Sequence, residues 1–198
     1  MARRGSRIFN PVTRTHVVFE AAPSENEGRA IVVDWFVPPG EMLPGRPHVH
    51  IGPAGQVAES FDILAGTAEV VVNGRTIELS APATLDIHFN QNHVHPANVG
   101  KVELHVRQRA EPEPPQPDVL LRLEQFFETL MALSQRGKVR RNGDMKDPLQ
   151  LALSMQEFLL DPTFIAGVPQ GLQKAMIGGM ARLARKLGYR AYHEPDWS

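Results

Sequence analysis

Residues 1–108 read as short strands, in several of which apolar and polar residues alternate with a period of two, and beyond residue 117 the apolar positions recur at helical spacing. "THVVFE" (15–20), "RAIVVDWFVPPG" (29–40), "ATLDIHF" (83–89) and "KVELHVRQ" (101–108) read as strands rich in β-branched and aromatic residues, bounded by Pro, Gly and Asn clusters. In the last of them Val102, Leu104 and Val106 share one face, while Glu103, His105 and Arg107 share the other, where His105 is expected to be exposed. The strongest local signal is "EVVVNGRTIEL" (69–79). Asn73-Gly74 supplies the two positive-φ positions of a type I′ turn, so a two-residue hairpin is predicted. Short strands with frequent turns and no intervening helix predict an antiparallel sandwich or barrel.

The proline-rich stretch "RAEPEPPQP" (109–117) cannot enter a sheet interior and reads as an extended linker. Residues 118–198 then read as a segment of about three α-helices. Asp118 is expected to cap the first, whose apolar stripe is Leu120, Leu123, Phe127 and Leu130. Asp147 and Pro148 open the second as N-cap and first helical residue. The third carries Leu172, Met176, Met180, Leu183 and Leu187 on one side and ends at Gly188. That stripe, opposite Lys174, Arg182, Arg185 and Lys186, is expected to cover the barrel or a neighbouring subunit, so a homodimer is expected. The loop "RGKVRRNGDMKD" (136–147) reads as a solvated basic turn.

Composition narrows the chemistry. The chain has no cysteine, which removes disulfides, thiolate metal sites and cysteine nucleophiles. A net charge of −1 gives no general pull toward nucleic acid or an acidic membrane surface. No apolar run approaches the ~18 residues of a membrane span, and a cytoplasmic location is expected. Arg3, Arg4, Arg7 and Arg14 lack a following apolar stretch, so they read as a partly ordered basic arm rather than an export signal.

The histidines carry the chemistry. Six of the eight lie between residues 48 and 105. In a helix His48 and His50 would diverge, but in a strand they share a face and can converge on one ion. Glu59 shares a strand face with Phe61 and Ile63, where a carboxylate is costly unless paired or metal-bound. "HFNQNHVH" (88–95) offers His88 and a second His-x-His, His93 and His95, either of which can supply a third imidazole. Three imidazoles and a carboxylate suit a divalent transition metal: Fe, Mn, Ni, Co or Zn. His16 and His193 have no evident partners.

This pattern resembles the cupin family. His48 and His50, then Glu59 with Gly66 at the required distance, match the first cupin motif. "IHFNQNH" (87–93) resembles the second, with Asn90 in place of the usual glycine and His93 at the histidine position. "NPVTRTHVVF", "LEQFFETLMALSQRGKV" and "LARKLGYRAYHEP" resemble a bacterial cupin subgroup with a helical C-terminal extension. The resemblance implies a mainly β chain: one antiparallel cupin β-barrel, or jelly roll, over residues 1–108, then the helices. It implies His48, His50, Glu59 and His93 as metal ligands. One departure is the eight residues "IGPAGQVA" between His50 and Glu59, longer than the family's usual spacing.

The implied function is a metal-dependent enzyme acting on a small organic molecule inside the barrel, by dioxygenation or by Lewis-acid isomerase or lyase chemistry. His95 is the expected acid or base, and Gln56, His88, Phe61 and Ile63 the expected substrate contacts. The alternative is a non-enzymatic ligand-binding or assembly module with a structural metal or none.

Overall fold

Asn73 and Gly74 both take positive φ, +51° and +77°, and join β6 (Thr67–Val72) to β7 (Arg75–Ser80) with Val72 opposite Arg75. This is the predicted two-residue hairpin. It belongs to a computed structural model that describes residues 1–159 and 163–197.

Two antiparallel sheets face each other. One contains, in spatial order, β1 (Arg7–Asn10), β2 (Thr15–Ala21), β3 (Ile31–Val37), β10 (Leu104–Ala110), β5 (Val57–Ala65) and β8 (Ala83–His88). The other contains β11 (Thr163–Ile165), β4 (His48–His50), β9 (Asn92–Asn98), β6 and β7. Alternation puts Phe19, Trp35, Phe61, Ile63, Leu104 and Val106 into the core between them. The predicted mainly β barrel with a helical C-terminal segment is therefore the observed architecture.

Several expectations change in detail. Val102 precedes β10 and is exposed, because the strand begins at Leu104 and runs to Ala110. His105 does not simply face water: its Nε2 lies 3.0 Å from Asp34 and its ring stacks on Phe36. The arginine-rich N-terminus is no loose arm. β1 pairs with β2, Ala2 is buried, and the Ala2 N–H donates to the Glu128 carboxylate.

α1 (Pro117–Gln135) starts one residue before the predicted cap. Gln116 is the N-cap without a side-chain bond, and Asp118 sits in the first turn, where its charge still favours the helix dipole. Leu120 and Phe127 pack on the barrel, with the Phe127 ring edge-on to Trp35 at 5.7 Å, so α1 closes one end of the barrel. α2 (Pro148–Ser154) is capped as predicted: the Asp147 side chain accepts from the Leu149 and Gln150 N–H groups. It continues as a π-helical turn, Met155–Leu159.

α3 (Gln170–Lys186) ends in a Schellman arrangement, with Gly188 N–H bonded to Arg185 C=O and Tyr189 N–H to Ala184 C=O. The Leu/Met stripe does not cover the barrel within this chain. Ile177, Ala181 and Ala184 pack toward α2, whereas Leu172, Met176, Leu183 and Leu187 are 49–61% exposed. Small residues permit closer helix contact than the Leu/Met stripe does. The 136–147 loop is not a solvated turn either. Val139 bridges Met145, both are buried, and Gly143 packs against Pro44.

Candidate metal centre

The metal-binding geometry starts from strand register. β4 pairs with β9 so that His48 stands directly opposite His93, and the one-residue spacing puts His50 and His95 on the same face. The His48 and His93 ring centroids are 4.1 Å apart. Each ring is oriented through its Nδ1: His48 to the Arg46 carbonyl at 2.8 Å, His93 to the Gln91 carbonyl at 3.3 Å, and His95 to the Pro44 carbonyl at 2.5 Å. His50 Nδ1 lies 3.1 Å from the Thr163 hydroxyl. A ring that donates from Nδ1 keeps a lone pair on Nε2, so these contacts select the tautomer a metal needs.

Glu59 reaches the imidazoles despite the long insertion. Asn90, at φ +69°, donates from its backbone to His50 C=O and from its side chain to Gly52 C=O, while Phe89 N–H bonds Gln56 C=O. These bonds pin the 51–58 loop to the turn between β8 and β9. Gly52 is required there, since a Cβ would lie 2.4 Å from the Phe89 ring. An irregularity in the β5–β8 pairing between Val57 and Glu59 then restores the alternation that aims Glu59 inward. Glu59 Oε1 lies 2.5 Å from His93 Nε2, 3.2 Å from His50 Nε2 and 3.7 Å from His95 Nε2. Its other oxygen accepts from Gln108 Nε2 at 2.8 Å, and Gln108 Oε1 in turn accepts from Trp35 Nε1 at 3.0 Å.

Burial and neighbouring charge set the protonation states. Burial pushes the His48 imidazole down, with His95, His93 and His50 adding to it, to about 2. Burial also lowers His93, against the opposing pull of Glu59. Burial alone would raise the Glu59 carboxyl, but the surrounding imidazoles outweigh it and hold the group well below its usual range. For His95 burial is outweighed the other way, by Glu59 and the Pro44 carbonyl, and the imidazole is raised. Neutral imidazoles beside an ionised carboxylate are the states that ligate a cation.

His48, His50, Glu59 and His93 offer ligand atoms that all lie within 4.8 Å of one another. The Nε2 atoms of His93 and His95 are buried without a hydrogen-bond partner. Orphaned imidazole nitrogens are costly, and a divalent ion among these N₃O donors would satisfy that of His93. The residues therefore fit a transition-metal ion. Two motif histidines on β4, the glutamate on β5 and a histidine on β9 converge inside a two-sheet antiparallel barrel. This is the arrangement that the resemblance to cupins implies.

Solved cupin structures are among those similar to this chain. The Schizosaccharomyces pombe Cnp3 cupin domain is 17% identical, with the match covering 50% of this chain and 66% of that one at a TM-score of 0.37. KdgF from Halomonas sp. is 16% identical, covering 50% and 79% at 0.38. A predicted oxalate decarboxylase from Thermotoga maritima is 16% identical, covering 57% and 100% at 0.40. No family model matches the chain, and no curated protein does.

The centre opens onto a cavity of about 140 Å³. His48, His50, Glu59 and His95 form its inner end, and its walls include Leu123, Phe127 and Leu130 of α1, Met155 of the π turn and Phe164 of β11. A second space of about 80 Å³ adjoins it, sharing His50, Glu59, Gln108, Leu123 and Phe127 among its walls. The remaining residues singled out from the sequence lie elsewhere. Gln56 is exposed in the pinned loop, and His88 ends β8 opposite Val57. Phe61 and Ile63 are buried in the core, with Phe61 meeting the His95 ring edge-on at 5.5 Å. None of the four lines either cavity.

Sequence reasoning missed Gln108 and Thr163. Gln108 had one available signal, an amide on the buried face of β10 in register with Leu104 and Val106. Thr163 had none, because β11 is three residues long and pairs with β4 across more than a hundred residues, with Thr163 opposite His50.

Proposed function

We propose that this protein is a metal-dependent enzyme acting on a small organic molecule held between the barrel and its helices. The observation that carries the reading is the open end of the donor set. His48, His50 and Glu59 face the cavity, while His93, 1% exposed, backs the site. His48, His50, Glu59 and His93 would hold the ion, and His95 stands beside it with Nε2 unpartnered. A bound divalent ion supplies Lewis-acid polarisation of a substrate oxygen or, with iron, access to dioxygen chemistry.

The chain's own residues do the rest. Gln108 occupies one Glu59 oxygen and leaves the other to the ion, which favours one-oxygen ligation. The apolar walls exclude water and strengthen electrostatics at the inner end. His95 Nδ1 is fixed by Pro44, so its Nε2 is the atom placed to hold or move a proton on a substrate. The isomerase, lyase and dioxygenase variants share this arrangement, and the metal's identity divides them.

Elemental analysis of untagged protein purified without chelator, beside His48→Ala/His50→Ala, tests the proposal. Near-stoichiometric transition metal in the wild type, lost in the double variant, is expected. Failure to take up Fe, Mn, Ni, Co or Zn on reconstitution would overturn it in favour of a ligand-binding or assembly module.

A further inference from the structure

The polar groups around the main cavity are already committed to one another. Asp144 takes a two-pronged ion pair from Arg46, at 2.6 and 2.7 Å, and a third bond from Asn142 Nδ2 at 2.9 Å. The Asn142 side-chain oxygen accepts from the Asp144 N–H. Gln108 spends its amide on Trp35 and Glu59, and Thr163 its hydroxyl on His50. The Nδ1 atoms of His48 and His95 are bound to backbone carbonyls. Apart from the unused N–H groups of half-exposed Arg46 and of Asn142, the valences left for a ligand are at the metal-facing nitrogens and the unpartnered His95 Nε2. The walls between are aliphatic and aromatic.

We infer that the site takes a small molecule of split character: an apolar, ring-sized body along the α1 and π-turn wall, and one oxygen-bearing end, a carboxylate or enol, at the metal and His95. This deepens the proposed function and rests on it for the oxygen-bearing end. A cavity near 150 Å³ holds a benzene-sized body, so the observed volume sets the size. Hydroxyl groups along the body would lose their water against Leu123, Phe127, Leu130 and Met155, which offer them no partner, while Asp144 and Gln108 are already engaged. Specificity against polyhydroxylated acids is therefore built into the helices, through Leu123, Phe127, Leu130 and Met155, rather than into the motif histidines.

Isothermal titration of zinc-loaded protein with benzoate and with D-galacturonate tests the inference, since zinc permits binding without redox turnover. Benzoate is expected to bind on the order of 100-fold more tightly. Filling the cavity with Leu123→Trp, or with Met155→Trp should the first variant fail to fold by circular dichroism, is expected to weaken benzoate by about tenfold or more while zinc stoichiometry stays unchanged. Equal or tighter galacturonate binding, no benzoate binding, or benzoate binding indifferent to the filled cavity would each overturn it. The two proposals fail separately. If zinc is not taken up, the metal reading falls, and the apolar slot is judged on whether metal-free protein binds benzoate in a manner lost on filling the cavity.

Discussion

β10 carries a polar cluster on each of its faces, and the two are built oppositely. On the outer face Asp34 receives a two-pronged pair from Arg107, at 2.7 and 2.9 Å, and a contact from His105 at 3.0 Å, with Phe36 stacked on the imidazole. On the inner face Gln108 holds one oxygen of Glu59, whose other oxygen meets imidazoles held through Nδ1, two of which, His93 and His95, have no hydrogen bond formed at Nε2. Both put histidine beside a buried carboxylate. The outer cluster is closed by arginine and ends as structure. The inner one leaves converging valences open, next to a cavity. A histidine–carboxylate contact is therefore evidence of a site only when the accounting of donors and acceptors does not close.

The largest expected break in this contrast is removal of inner ligands. His48→Ala/His50→Ala should weaken metal binding by three orders of magnitude or more, on the order of several kcal/mol, with circular dichroism unchanged. Metal titration with a competing chelator reads it. Loss of an orienting partner should cost less: Gln108→Leu and Thr163→Val are each expected to weaken the metal by roughly 10- to 100-fold. Thr163→Ser should restore affinity where Val does not, which separates the hydroxyl's orienting role from mere packing.

Breaking the outer cluster should leave metal content alone. Arg107→Met removes the main partner of the buried Asp34 and is expected to cost about 1–2 kcal/mol in urea unfolding, the guanidinium being partly exposed. The smallest effect is one of pH. Burial would raise Asp34, but Arg107 and His105 together bring it below its usual 3.8. A lowered folded-state value means that this contribution is full above the unfolded value near pH 4 and drains away as the pH falls through the folded one. Urea unfolding at about pH 6 and about pH 3 should show a loss in the wild type that Arg107→Met shows only weakly.

The sequence made legible whatever depends on neighbours in the chain. Asn73-Gly74 dictates its hairpin, and strand alternation alone puts Glu59 on the face of Phe61 and Ile63. His48 and His50 converge because a strand spacing leaves them no other choice. What escaped depends on partners distant in sequence. Thr163 matters only because β11 pairs with β4, and Gln108 only because Glu59 lies across the sheet. The α3 face that packs on α2 within the chain was not legible, because large Leu and Met side chains outweigh Ala181 and Ala184 in hydrophobicity, although small residues let helices approach closely. Gln173 adds to that packing: it is buried and bonds both the N–H and C=O of Ile165, holding β11 against the helix.

The pairing of β11 with β4 also imposes an order in time. The ribosome delivers His50 113 residues before Thr163, a gap of about 6–20 seconds at ordinary synthesis rates. Through that interval the nascent barrel can present its histidines and Glu59, but His50 lacks its hydroxyl partner and the slot lacks its Phe164 wall. The centre gains its orienting hydroxyl and its last wall only when Thr163 and Phe164 have emerged.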